Sequence, residues 1–221
     1  MMKTKEEMVM KAQEWIRQME EEITLVLEME FYGENQVDLC DSAISQEPYN
    51  TLMMNGAAMV KLSKDNGQDI ADIAKVQFRY IMVSKYDRVQ DCYAFLDGDD
   101  SSLEMIGTAL RLYDEEEYSE KYQEIGFEDW MDDVIVIDEV FVQPEYRRNG
   151  IGTAAIQMLF EWFKMHGMDV NVFVFFDYAE VREDGALYYE ETDESTSFCR
   201  SFGRLLETVG GNRIFVWNPE I

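Results

Sequence analysis

Met8, Ala12, Trp15, Ile16, Met19 and Ile23 recur every three or four residues near the start of the chain. That spacing puts one apolar stripe on an amphipathic helix from Thr4 to about Glu22. Thr4 and Glu7 have the spacing of a capping box, and the stripe reads as a packing face. The pattern then changes to "ITLVLEMEFY", residues 23–32, whose alternating, β-prone residues predict an extended segment. From Gly33 to about Asn66 the pattern is weak. "SQEPYNTLMMNG" reads as loop and "AAMVKL" as a strand. In "QDIADIAKVQFRYIMVSKYD", residues 68–87, the first half suits a helix, whereas Val76, Phe78, Tyr80 and Met82 alternate as in a strand.

"CYAFLDG" (92–98) and "LEMIGTALRLY" (103–113) read as two strands, joined as a hairpin by the turn-rich "DGDDSS". "DEEEYSEKYQEIGFEDWMDD" (114–133) holds ten acids and one lysine and reads as an acidic excursion, part of it a short helix. "VIVIDEVFV" (134–142) is long, β-branched and mostly apolar, which predicts a central strand covered on both faces. Pro144 ends it, and Gln143 to Asn149 form a loop. From Ile151 to about Met165 a helix follows, with Ile151, Ala155, Met158, Leu159, Trp162 and Phe163 on one side. "VNVFVFF" (170–176) is the next strand. Strand, helix and strand within about forty residues predict a crossover between parallel neighbours. "YAEVREDGALYYEETDE" (178–194) reads as a polar connection. "STSFCRSFGRLLETVGG" (195–211) reads as a helix stopped at Gly210-Gly211, and "RIFVWNP" as the last strand. The expected fold class is α/β, of the α+β kind with a mixed sheet.

Composition narrows the class. A chain of 221 residues with 47% apolar residues can bury a core, so disorder is not expected in spite of a formal charge of −27. Through Tyr146 there are 34 Asp/Glu against 12 Lys/Arg; from Arg147 onward there are 12 against 7. Such a field repels nucleic acid and anionic membranes, so neither is expected as a partner, and it attracts cations and basic partners. A solvated, soluble surface is the plain meaning of these acids; selection of a cationic substrate is the functional one. Cys40, Cys92 and Cys199 match neither a disulfide framework nor a zinc site, which fits a reduced cytoplasm. The opening "MMKTKEEMVM" has no apolar h-region, and "VNVFVFF", the longest apolar run, is too short to span a bilayer. The single histidine, His166, sits before Gly167 and reads as a helix C-terminal residue, so no metal site is expected.

"QPEYRRNGIGTAAIQMLFEWF", residues 143–163, places Arg147 and Arg148 beside Gly150 and Gly152 at a helix mouth. The first N–H groups of a helix lack intrahelical partners and carry the positive dipole end, so a strand–glycine turn–helix run is a natural anion site. Glycines admit a ligand close to the backbone, and guanidinium groups match phosphate with a charge that cannot be titrated away. A tight turn with solvent-facing arginines is the plain alternative. No Lys-Ser/Thr pair follows the glycines and no G-x-G-x-x-G is present, which excludes two familiar phosphate loops.

The stretch "IDEVFVQPEYRRNGIGTAAIQML" resembles the acyl-CoA-binding motif of the GCN5-related N-acetyltransferases (GNAT): Arg/Gln-x-x-Gly-x-Gly/Ala after a central strand, met by Arg147-Arg148-Asn149-Gly150-Ile151-Gly152. The resemblance covers roughly residues 92–218. It implies a GNAT-type acyl-CoA N-acyltransferase fold at 91–221, with residues 1–90 as an N-terminal extension and first part of the fold. Main-chain N–H groups of Arg148, Asn149, Gly150, Ile151, Gly152 and Thr153 would cradle the pyrophosphate beside Arg147. Val140, Phe141 and Val142 would pair with the pantetheine arm, splayed from "VNVFVFF", and an N–H near Val140 would polarise the thioester carbonyl. The implied activity is acetyl-CoA-dependent N-acetyltransfer to a primary amine, a cationic small molecule or a basic peptide, by direct attack in a ternary complex. Dimers are common in the family, so a homodimer is a candidate state.

A free alkylammonium titrates near ~10, so the amine needs a base to become a nucleophile. Asp138 and Glu139 are the candidates. Strand alternation separates them onto opposite faces, and Glu139 is preferred; a solvated or salt-bridged strand acid is the plain alternative for either. Acids of 128–133 are candidates to hold a cationic substrate. Family members often carry a tyrosine acid in the last helix, in a stretch like L-Y-E-K-x-G-F. Matched to "LLETVGG", that position is Leu206. Tyr188, Tyr189, Cys199 or Ser201 would then replace the tyrosine, unless the thiolate leaves unaided. The departure also supports an alternative of another class, a non-catalytic acyl-CoA-binding or protein-interaction module.

Overall fold

The computed structural model describes residues 5–18, 23–32, 53–64, 66–99, 101–124, 133–168, 170–177, 179–183, 186–190 and 193–218. In chain order the elements are α1 (Lys5–Arg17), β1 (Ile23–Tyr32), β2 (Met53–Lys64), β3 (Asp69–Ile81), α2 (Val89–Asp99), α3 (Ser101–Ala109), α4 (Glu115–Glu124), β4 (Asp133–Val142), α5 (Ile151–Met165), β5 (Val170–Phe176), β6 (Ala179–Glu183), β7 (Ala186–Glu190), α6 (Asp193–Phe202), β8 (Arg204–Val209) and β9 (Asn212–Trp217). The class is mixed α/β, as expected. Two units share these elements: residues 1–80 with 137–170, and residues 81–136 with 171–221. Among the described residues, no helix is long and apolar enough to cross a membrane.

In the first unit, β1, β2, β3 and the Ile137–Val142 part of β4 lie in that order. β1 runs antiparallel to β2, from Ile23 opposite Lys64 to Tyr32 opposite Asn55. β2 turns into β3 through Gly67, which holds φ at 81°, while Lys64 N–H donates to Gln68 O at 2.9 Å. Helix α5 packs on β1 and β2, and α1 packs on α5. Of the apolar stripe that spacing predicts for α5, Ile151, Ala155, Leu159 and Phe163 are buried and Met158 and Trp162 are half-buried, while Ala154, Ile156 and Phe160 widen the buried face. Phe163 meets Phe78 and Tyr80, both at 5.6 Å between ring centres. Phe78 lies over Gly56, where a Cβ would stand 2.4 Å from its Cζ, so this ring has room only above a glycine. His166 caps the C-terminus of α5; its ring stacks on Trp162 at 3.9 Å.

In the second unit, β5, β9 and β8 lie in that order. β5 and β8 both run antiparallel to β9, with Phe173 opposite Trp217 and Arg204 opposite Val216. Phe202 at the end of α6 stacks on Phe175 at 5.4 Å and meets Trp217 at 5.2 Å. Asp177, just past β5, is buried and fully engaged. Its carboxylate accepts from Ser195 Oγ and Thr196 Oγ1, both at 2.9 Å, and pairs with Arg213 Nη2 at 2.6 Å. The buried Lys121 of α4 donates to Leu206 O at 3.2 Å and pairs with Glu124 at 3.3 Å.

Four expectations are overturned. The hairpin expected at 92–98 and 103–113 is instead the helix pair α2 and α3. Val89, Cys92 and Leu96 are buried, as are Leu103, Ile106 and Leu110; that is helical spacing, and the β-prone composition had masked it. The helix expected in the first half of 68–87 is strand from Asp69 onward, because the Gly67 turn lays the segment back along β2 and tertiary pairing overrides propensity. The polar connection 178–194 contains the hairpin β6–β7, Glu183 opposite Ala186. The helix expected over 195–211 ends at Phe202, and 204–209 is strand β8. Gly210 and Gly211 hold φ at 60° and 90°, the conformation of a tight β-hairpin turn and not of a helix stop.

Burial of Cys92 and Cys199 pushes both thiols up to about 12. An acid whose folded value lies above its unfolded value of about 9 stays protonated in the native state while the unfolded state loses its proton. The associated stability is therefore complete below pH 9 and is lost between about pH 9 and 12, at up to ~1.4 kcal/mol per pH unit for each thiol. Denaturant melts of the wild type against Cys92→Ala/Cys199→Ala over that range are expected to show the wild type falling more steeply.

Candidate functional site

The turn between β4 and α5 is held at several points. Gln143 N–H donates to Ile73 O at 2.9 Å, and its side-chain amide donates to Asp72 O. Pro144–Tyr146 form one 3-10 turn. The ring of Tyr146 takes Trp15 of α1 edge-on at 5.8 Å. Arg147 Nε donates to Val142 O at 2.8 Å, and its guanidinium lies 5.8 Å from the centre of the Phe141 ring, which is 43% exposed. Arg147 thus closes the end of β4 as well as supplying charge.

Beyond Arg147 the backbone becomes left-handed, with φ at 65° for Arg148 and 80° for Gly150. Gly150 is the N-cap of α5, and no side chain caps that helix start. Its carbonyl accepts from Ala154 N–H at 2.9 Å. The N–H groups of Ile151, Gly152 and Thr153 precede the first intrahelical donor and need an outside acceptor. The chain has 46 acids, yet the first turn of α5 carries none. A helix start with no cap of its own, no nearby acid on its first turn and two preceding arginines suits a diphosphate.

Asp138 and Glu139 meet different partners. Arg79, 9% exposed, grips Asp138, its Nε 3.1 Å from both oxygens and its Nη2 2.6 Å from Oδ1. Glu139 Oε2 accepts from the Gln77 amide at 2.6 Å, and Gln77 in turn accepts from Lys75 Nζ at 3.0 Å, in the amide orientation that satisfies both neighbours. Plain alternation would part the two acids, yet both meet the row Lys75, Gln77, Arg79 of β3. The pairs Ile73–Gln143 and Gln77–Glu139 keep one antiparallel register, and Arg79–Asp138 is offset from it by one residue. The β3 row was readable in the sequence as the polar half of "KVQFRY"; its pairing with Asp138 and Glu139 was not.

Val140, Phe141, Val142, Arg147, Arg148, Asn149, Gly150, Ile151, Gly152 and Thr153 all fall within the first unit, together with Asp138 and Glu139. Tyr188 falls on β7 of the second unit, and its side chain, like that of Tyr189, lies outside the described residues. So do the acids at 128–132. Leu206 is corrected: it is buried on β8 and belongs to no helix. The last helix is α6, followed by Gly203. Counting four residues back from that glycine, as in Y-E-K-x-G, reaches Cys199. Its thiol donates to Phe176 O at 3.5 Å. Burial first, then the negative Asp177, hold it at about 12. Giving its proton to a leaving thiolate of ordinary thiol strength, near ~8.5, would be uphill by about 5 kcal/mol. Cys199 thus stands where that pattern has its tyrosine, with a thiol that burial keeps protonated.

The model of the acetyltransferase (GNAT) family matches residues 72–189 of the chain. No curated protein matches it. Solved structures similar to it include two of one plant protein. Arabidopsis thaliana NAA60 in complex with acetyl-CoA is 13% identical, with 77% of this chain and 78% of that chain covered and a TM-score of 0.37. Arabidopsis thaliana NAA60 in complex with a bisubstrate analogue is 12% identical, with 86% and 98% covered and a TM-score of 0.36.

Proposed function

We propose, for a chain that belongs to the acetyltransferase (GNAT) family, that it carries an acetyl group from acetyl-CoA to a primary amine on a cationic small molecule or basic peptide. The observation that carries this reading is the left-handed turn through Arg148 and Gly150 into the uncapped, acid-free start of α5. Main-chain N–H groups from Arg148 to Thr153 would hold the pyrophosphate, and Val140 to Val142 would take the pantetheine arm. Acetyl-CoA, when bound, supplies an activated acetyl group. The acidic field of the chain supports a cationic acceptor, drawn in by long-range attraction, and the cysteine usage supports a cytoplasmic setting.

Within this reading Glu139 is the base. Asp138 is committed to a two-point ion pair with Arg79, so its oxygens are already taken up by a fixed cation. Glu139 takes a neutral amide donor instead, an arrangement that orients a carboxylate without neutralising it. The proton of the acceptor ammonium passes to it, directly or through one water. The proton for the leaving thiolate comes from solvent, since Cys199 holds its own too tightly.

Thermal melting with acetyl-CoA, followed by thiol release with a panel of amines, tests the proposal. Stabilisation with turnover supports it. Stabilisation without turnover on any amine supports the non-catalytic binder instead, a reading favoured by the lack of any tyrosine in α6. With an accepted amine in hand, Glu139→Gln is expected to lower kcat/KM by about 10²–10⁴ at neutral pH and to recover in part at high pH. A pH–rate profile unchanged from the wild type would assign the base elsewhere.

A further inference from the structure

We propose that α1 is a clamp on the anion-binding turn and that Trp15 is its positioning residue. The inference rests on the reading of that turn as the acetyl-CoA site. The anchors described above hold the turn from several sides. Gln143 ties it to β3 and Arg147 ties it to β4. Gly150 enters α5. The middle of the turn, at Tyr146, is reached by Trp15 of α1. Three observations make α1 a built support. Ala12, one turn before Trp15, is 1% exposed, so the helix is seated by that face. α1 packs along α5, the helix whose first turn is the anion site. And Trp15 and Tyr146 meet at an interplanar angle of 75°, the edge-on geometry that aromatic pairs favour.

One helix therefore touches both the turn, at Tyr146, and α5, the helix that the turn enters. α1 lies outside the matched residues 72–189, so this support is a property of the N-terminal extension. Its physical role is pre-organisation. A site populated in its binding form for only part of the time binds more weakly by that fraction. Left-handed backbone at the non-glycine Arg148 is a conformation that surrounding contacts must maintain.

Calorimetric titration of the full-length protein with acetyl-CoA tests this. Trp15→Ala is expected to raise Kd about five- to tenfold, and Trp15→Phe is expected to restore most of the affinity. Tyr146→Ala should weaken binding similarly, and the double change Trp15→Ala/Tyr146→Ala no further than either alone, since the two act as one contact. Trp162→Phe, which alters a large ring at the far end of α5, should leave Kd unchanged; a general loosening of the unit would not respect that distinction. If the wild type binds acetyl-CoA and Trp15→Ala binds it equally well, the clamp is refuted while the site stands. If the wild type does not bind acetyl-CoA, the site assignment fails and takes the clamp with it.

Discussion

Gly150→Val is expected to abolish acetyl-CoA binding while leaving a folded protein. Gly150 holds φ 80° and ψ 5° at the N-cap of α5. A β-branched residue in that region costs about 1–3 kcal/mol, and relief requires the turn to open. Either outcome disturbs the site: a turn that opens carries the N–H groups away from the diphosphate, and a turn that holds puts an isopropyl group beside them. Calorimetry should show Kd raised at least ~100-fold, and the thermal shift with acetyl-CoA should vanish. The unliganded melting temperature should fall by about 2–12 °C, given ~2–4 °C per kcal/mol for a chain of this length. Gly150→Ala should fall between, with Kd raised about tenfold, because a methyl group tolerates the left-handed region at about 1–2 kcal/mol. Adding Arg147→Ala removes the guanidinium that closes β4 and should flatten the salt dependence of whatever binding remains. A Gly150→Val protein that binds acetyl-CoA like the wild type would place the cofactor elsewhere.

Gly203→Ala is expected to be the most damaging small substitution in the second unit. A Cβ at this position would stand 2.0 Å from Val216 O, 2.6 Å from Val216 C and 3.1 Å from Trp217 N. These are main-chain atoms of β9, which is paired with β5 on one side and β8 on the other, so nothing nearby can rotate out of the way. Ordinary overpacking costs about 1–3 kcal/mol because side chains yield. Here the backbone must move, and a loss of at least ~3 kcal/mol is expected, read as a melting temperature lower by about 6–12 °C. Gly98→Ala is the control. It lies in α2 with open space around it, so the same added methyl should be neutral or stabilise by up to ~1 kcal/mol. Equal effects of the two changes would mean that the approach of Gly203 to β9 is not as close as described.

The two acids on β4 show how far the chain could be read without its fold. Asp138 and Glu139 stood out as neighbours on a strand, and Glu139 was the preferred base. What parts their roles is Arg79 and Gln77, about sixty positions earlier. Similarly, "LLETVGG" offered a helix ending in glycine, and only the pairing of Val209 with Asn212 makes it a hairpin. The 92–113 segment carried enough β-prone residues to pass for strands until burial at helical spacing decided it. Cys199 emerged as the position counted from Gly203 once the end of α6 was known.

By itself the sequence determined β4, the glycine turn, α5 and β5, and with them the turn proposed to bind the anion, because each depends on signals within one short window: periodicity, a proline stop, glycines where left-handed backbone is needed. The tertiary structure decided which acid is tied to a cation, which glycine lies against a neighbouring strand, and that Trp15 of an N-terminal helix meets Tyr146 in the turn. Those depend on groups brought together from distant parts of the chain, and a local pattern holds no record of its partners.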